Sequence, residues 1–165
     1  MLHNYAKTVY ANPKGYEDVL LIICCLDKTM LGWHTERSIS QLRERAGGQG
    51  YLAANIFGEG IAGAHAGMTA EGDNRVLMVK VVKDLLSIYM KKPDYFYNGE
   101  NIKLTDVKQL LDLKTLMDVF LMLEKFKLNK LINRMSELKG QGKNAYEILM
   151  FETSDEIQEF AYAHG

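Results

Sequence analysis

Between Gly15 and Ala46 the chain contains no proline and a single glycine, Gly32, and it then meets Gly47-Gly48. A breaker-free stretch of that length predicts one long helix after Pro13-Lys14-Gly15. Glycine adopts the left-handed conformation cheaply, so Gly47-Gly48 is where the helix should stop. Its first half, Val19 to Leu26, is apolar on every side, which predicts a central place in a bundle. Its second half carries Glu36, Arg37, Arg43, Glu44 and Arg45. Arginines in the last turn suit the negative end of the helix dipole. Trp33, on the same helix, is expected in the core.

The only other proline is Pro93. From Tyr51 to Met68 the glycines at 58, 60, 63 and 67 predict a loop with at most a short helical turn. A new helix is expected to start around Thr69 to Asn74 and run to about Met90. Val79-Lys80-Val81 alternates like a strand, but the apolar run is too long for one and lacks strand punctuation. Lys91-Lys92-Pro93 with Asn98-Gly99 reads as a linker containing a turn. Thr105 is the expected N-cap of another long helix, ending near Leu138. Gly140-Gln141-Gly142 breaks it, and Asn144 with Glu147 has the capping-box spacing for a final helix. The expected fold class is therefore all-α: a helical bundle over residues 1–92 and part of a second helical domain over 104–165.

The bulk numbers exclude several functions. A net charge of −1 and a pI near 6.4 give no reason to expect a nucleic acid or an anionic membrane as partner. The longest apolar run, Val19 to Leu26, falls far short of the roughly 20 residues a membrane span needs. No apolar leader follows Met1-Leu2-His3-Asn4-Tyr5. Cys24 and Cys25 are adjacent on one helix, so they point apart and are expected to be reduced, as in an intracellular protein. His3, His34, His65 and His164 have no partner at a metal-ligand spacing, so no metal is expected.

Two constellations could carry chemistry. Gly47-Gly48-Gln49-Gly50 is neither a dinucleotide fingerprint nor a P-loop. It can be a plain helix stop, or backbone that a flat or phosphorylated ligand approaches closely. Glu71 precedes Gly72-Asp73-Asn74 at the expected start of a helix. A carboxylate there is stabilised by the dipole without any function. Gly72 is less expected, because glycine costs about 1 kcal/mol inside a helix. It makes sense if something must pass close to the backbone. Asp73 and Asn74 can be caps or ligand contacts, and His65 could line the same site.

In order and spacing, Arg43-Glu44-Arg45-Ala46-Gly47-Gly48-Gln49-Gly50-Tyr51-Leu52, then Asn55, then Glu71-Gly72-Asp73-Asn74 and Val76-Leu77-Met78, resemble the acyl-CoA oxidases. The wider acyl-CoA dehydrogenase superfamily shares the outline. Asp27-Lys28 and Trp33-His34 fit the same pattern, and the likeness is densest over residues 16–90. It implies that Glu71 is the base taking the α-proton of an acyl-CoA thioester, and that shielding from water beside flavin and thioester raises its pKa. It also implies that Gly72 contacts substrate, and that Gly47, Gly48, Gln49, Gly50, Asp73 and Asn74 contact FAD. The glycine loop would touch a flavin held mainly by a neighbouring subunit, hence a homo-oligomer or larger assembly. Ala46 stands where the family usually has cysteine, and Ala70 where an aromatic residue is common.

The same resemblance implies that the chain corresponds only to the C-terminal helical part of such an enzyme. Flavin-binding domains or a partner chain would complete it, and the chain alone should not hold FAD. An inactive relative serving as a structural subunit is the alternative. The family address is the peroxisome, with the mitochondrion as alternative, although Ala163-His164-Gly165 is not the peroxisomal tripeptide.

Overall fold

A computed structural model describes residues 10, 11, 17–92, 96 and 105–165. All regular elements among these residues are helical. The expected breaks at Pro13-Lys14-Gly15, Pro93 and Asn98-Gly99, and His3, lie outside the described residues. The chain divides into two compact units, Met1–Lys80 and Val81–Gly165.

In the first unit, α1 spans Glu17–Arg45. It ends where expected: the Ala46 amide closes on the Leu42 carbonyl at 2.9 Å, and Gly47 takes φ +58°. Ile22, Ile23, Cys25 and Leu26 are buried, as the all-apolar half predicts, but Leu21 is 49% exposed. Trp33 is only half-buried, not a core residue. Neither Cys24 nor Cys25 is in a disulfide.

Two short 3-10 turns follow, Gly47–Tyr51 and Ala53–Asn55, and then α2, Phe57–Thr69. The loop expected over 51–68 is thus largely helix. Four glycines in that span should cost about 1 kcal/mol each, so tertiary packing has overridden local propensity. At Gly60 the reason is steric: a Cβ would lie 3.3 Å from Ile39 Cδ1 on α1. At the other end of α2, Met68 Cγ comes within 3.3 Å of where a Cβ on Gly32 would sit. Contacts at 60–39 and 68–32 make α1 and α2 an antiparallel pair. Then α3 runs over Asn74–Lys91, a helix through the Val79-Lys80-Val81 alternation.

In the second unit, Asp106 caps a 3-10 turn, Val107–Leu111, and Asp112 caps α4, Leu113–Gly140. Thr105 is therefore not the cap of the long helix. Its amide donates to Gln109 Oε1 at 2.9 Å. The Asp112 carboxylate accepts from the Thr115 amide at 2.9 Å, a bond that holds its pKa below the usual carboxylate range. The Asn144–Glu147 capping box forms, but α5, Ala145–Glu147, is one turn that passes into a π-turn at Ile148–Glu152. Thr153 then separates off α6, Ser154–His164. Leu128, Leu131, Leu138, Ile148, Ile157, Phe160 and Ala161 form the core of this unit. Phe96 sits between Tyr89 and Phe160, at ring-centroid distances of 5.7 and 6.2 Å.

Candidate functional site

Glu71 does not lie in the first turn of a helix. It sits in the turn between α2 and α3, with its own φ at +60° and that of Gly72 at +105°. Gly72 is required by that backbone conformation, so no helix-interior penalty arises; the residue is exposed, and a Cβ on it would meet Leu77 Cδ2 at 3.2 Å. Asp73 is the N-terminal cap of α3: its Oδ1 accepts from the amides of Arg75 at 2.9 Å and Val76 at 3.3 Å. This anchors the far side of the turn.

Asn74 is 3% exposed. Its Nδ2 donates to the Thr29 carbonyl at 3.3 Å, and its Oδ1 accepts from Lys28 Nζ at 2.7 Å. Its side chain is occupied in joining α3 to α1. The Lys28 ammonium also donates to the carbonyls of Gly72 at 2.6 Å and Met68 at 3.2 Å. Its three donors meet three acceptors, on the last turn of α2, on the turn and on the first residue of α3. Hydrogen bonds to a charged group are worth about 1.5–3 kcal/mol each. A left-handed non-glycine residue costs about 1–2 kcal/mol. Even discounted for partial exposure, the Lys28 bonds outweigh the strain at Glu71.

The Glu71 carboxylate is exposed and makes no ion pair among the described residues. No described residue supplies the shielding from water that the resemblance implies. His65, expected in a loop, is exposed on α2, where its carbonyl accepts from Thr69 Oγ1 at 3.3 Å.

The glycine loop lies at the other end of α1. Gly50 is buried, and a Cβ there would collide with the Arg43 carbonyl oxygen. Arg43 Nε donates to the Gly50 carbonyl at 3.3 Å, and Asn55 Nδ2 to the Gln49 carbonyl at 2.6 Å. Gly47 and Gly48 are exposed, with nothing within 4 Å of where a Cβ would be. Gly47 borders a cleft of about 390 Å³ lined also by Ser40, Arg43, Glu44, Gly50, Tyr51 and Ile61; Gly48 is not part of its lining. Tyr51 is 83% exposed. The cleft thus combines open backbone, a guanidinium and an uncovered ring.

The two constellations are not brought together. Glu71, Gly72, Asp73 and Asn74 are absent from the lining of the glycine-loop cleft. At 1.5 Å per residue, Lys28 and Arg45 are about 25 Å apart along α1. A second cleft of about 490 Å³ in the Val81–Gly165 unit, lined by Leu86, Met90, Ile132 and Met135 among others, holds none of the predicted residues.

Sequence reasoning missed four contributors. Lys28 entered only as part of a motif, yet a charged residue directly after an apolar run signals a specific partner. Gly32, one turn on, allows the close approach of Met68 and Asn74. Arg43 and Tyr51 shape the cleft without belonging to the glycine pattern.

No group of three or more His, Cys, Asp or Glu side chains that could hold a metal ion occurs among the described residues. Nor is any described helix long and apolar enough to cross a membrane.

Residues 3–86 match the family model for the acyl-CoA oxidase C-alpha1 domain. Three Arabidopsis thaliana proteins are similar. Acyl-coenzyme A oxidase 3, peroxisomal, is 28% identical over 130 residues, covering 71% of this chain and 19% of the relative. Putative acyl-coenzyme A oxidase 3.2, peroxisomal, is 30% identical over the same shares. Acyl-coenzyme A oxidase 2, peroxisomal, is 40% identical over 65 residues, 39% of this chain and 9% of the relative. The chain thus spans about a fifth of the length of the first two. No solved structure matches. The antiparallel α1–α2 pair, the glycine loop and the Glu71 turn all fall within the segment matched by the family model, and the chain belongs to the acyl-CoA oxidase family.

Proposed function

We propose that the chain supplies the helical, base-bearing part of a flavin-dependent acyl-CoA oxidase site. The observation that carries this reading is the Glu71 turn: an exposed carboxylate with no competing ion pair among the described residues, on backbone anchored at both sides. A base must be free to reach its proton and held against recoil, and a positioned base contributes a factor of about 10² to 10⁴. Glu71 takes the α-proton of the acyl-CoA thioester. Gly72, whose positive φ shapes the turn, presents exposed backbone to the thioester. FAD, when bound, supplies the acceptor for the β-hydrogen and the route of the electrons to O₂, so that acyl-CoA and O₂ become trans-2-enoyl-CoA and H₂O₂.

The glycine-loop cleft suits a flavin nucleotide. Exposed Gly47 admits a phosphorylated group to the backbone, with exposed Gly48 next to it, Arg43 offers a positive charge, and Tyr51 a face for a flat ring. Gln49 belongs to the same loop. Asp73 and Asn74 serve the flavin through the shape of the turn, since their side chains are spent on α3 and α1. The distance between loop and turn along α1 favours contact with different flavins, or with distant ends of one, and so an oligomer or a flavin-bearing partner chain. The peroxisomal names of the relatives favour that compartment.

A structural-subunit role is the second reading. It rests on the apolar side chains left uncovered in the 3-10 turn before α4, where Val107 is 81% and Leu111 86% exposed, and in the early turns of α4, where Phe120 is 57% exposed. Equilibrium dialysis with FAD separates the two, together with peroxide formation from acyl-CoA by wild type and Glu71→Gln in the FAD-loaded assembly. The oxidase reading expects FAD binding once the flavin-bearing partner is present, and near-complete loss of turnover in Glu71→Gln with FAD retained. Turnover within a few-fold of wild type would remove Glu71 as the base. No FAD binding in any assembly would leave the structural role.

A further inference from the structure

We propose that Lys28 is the positioning residue of the Glu71 turn, a single ammonium that holds the catalytic carboxylate's backbone in its left-handed conformation. The functional half of this inference rests on the oxidase reading above; the structural half does not. Both segments flanking Glu71 are tied to the same Nζ: the Met68 carbonyl three residues before it at 3.2 Å, and the Gly72 carbonyl one residue after it at 2.6 Å. The third bond, to Asn74 Oδ1 at 2.7 Å, fixes the first residue of α3. Asn74 in turn donates to the Thr29 carbonyl, beside Lys28 on α1.

The surface of α1 is shaped for this grip. Gly32 lies one turn beyond Lys28 on the same face. A Cβ there would press to 3.3 Å on both Asn74 Nδ2 and Met68 Cγ. Within the turn, by contrast, two consecutive residues have positive φ, and only one is glycine. Glu71 is an uncommon residue for that conformation, and its exposed side chain makes no ion pair among the described residues. Asp73 anchors the far side locally through its cap bonds, and from outside the turn Lys28 contacts it on both sides. The bonds also cap the last turn of α2, where a cation suits the dipole. A purely stabilising role would end there. Positioning makes the further claim that the conformation at Glu71 and Gly72 depends on the ammonium.

The test uses the full chain with Lys28→Met, which keeps the aliphatic stem, and Lys28→Arg, which keeps the charge. Backbone chemical shifts of Glu71 and Gly72 should move toward averaged values in Lys28→Met and be partly restored in Lys28→Arg. Exchange of the Arg75, Val76 and Leu77 amides should accelerate about tenfold or more, as expected on loss of one charge-assisted hydrogen bond. Helix content and amide exchange in α4 and α6 should stay unchanged. Unmoved Glu71 and Gly72 shifts, or acceleration equal throughout the chain, would overturn the proposal. If Lys28→Met does not fold, Lys28→Gln is read by the same comparison. In the FAD-loaded assembly, Lys28→Met should lower kcat about tenfold with KM and FAD retention little changed. An undiminished kcat removes the functional half. Full turnover in Glu71→Gln would remove Glu71 as the base and leave the exchange result standing; unchanged exchange sinks the role of Lys28 and leaves Glu71 as base.

Discussion

Adding one carbon to two glycines should have opposite effects on stability, and the difference measures how far the Glu71 turn depends on its backbone. Gly72 has φ +105° and Gly63 lies in the body of α2. In Gly72→Ala the new Cβ would sit 3.2 Å from Leu77 Cδ2. That contact is tight but meets the end of a flexible side chain, so the dominant cost is conformational. An L-residue forced to positive φ loses about 1–2 kcal/mol, and the Leu77 adjustment adds up to about 1 kcal/mol. In Gly63→Ala the Cβ meets nothing within 4 Å. Alanine is the better helix former by about 1 kcal/mol, so this variant should be more stable than wild type. The expected gap between the variants is about 2–4 kcal/mol. Urea unfolding followed by circular dichroism reads it, with m-values compared to exclude a change in the unfolded state. Equal shifts of the same sign would refute the reasoning: Gly72 would then be replaceable because the turn does not require positive φ. Destabilisation by Gly63→Ala would show that α2 approaches something at that position.

Other outcomes follow from the second unit. Phe160→Ala empties a fully buried site against Phe96 and should cost about 3–5 kcal/mol, read as a lower melting temperature. His164→Ala removes the 2.6 Å bond to the buried Glu124 carboxylate and should cost about 1–3 kcal/mol; a change below about 0.5 kcal/mol would mean that the pair is not formed. Glu159 is held below the usual carboxylate range first by its hydrogen bond to Lys127 and then by that to Lys130. Its lowered folded-state value gives a contribution complete above the ordinary carboxylate pKa and lost as pH falls through the lower value. Wild type should therefore lose more stability than Glu159→Gln on acidification across that window. The difference should be small, because the pair is solvent-exposed.

Much of the fold was legible because its signals are local. The stop at Gly47, the capping box at Asn144 and the length of α3 each depend on a few neighbouring residues whose backbone preferences act wherever they are placed. Glu71 and the glycine loop were legible as a motif, through resemblance. The helix at Phe57–Thr69 was not legible. Its four glycines argue against helix, and only packing against Ile39 and its neighbours on α1 reverses that argument. Thr105 was misplaced as a cap because Asp106 and Asp112, a few residues on, compete for the same task and win with better-placed carboxylates.

Periodicity, caps and breakers act over a turn or two, so the helical class, the ends of the long helices and the motifs that point to the family could all be read from neighbouring residues. The left-handed turn at Glu71, the burial of Asn74 and the hold of Lys28, more than forty residues earlier, on the backbone around both emerge from packing alone. The physical reason is that an ammonium chooses its acceptors by distance in space. Which carbonyls come within 3 Å of Nζ depends on how α1, α2 and α3 pack, and no local preference of residues 28 or 71 encodes it.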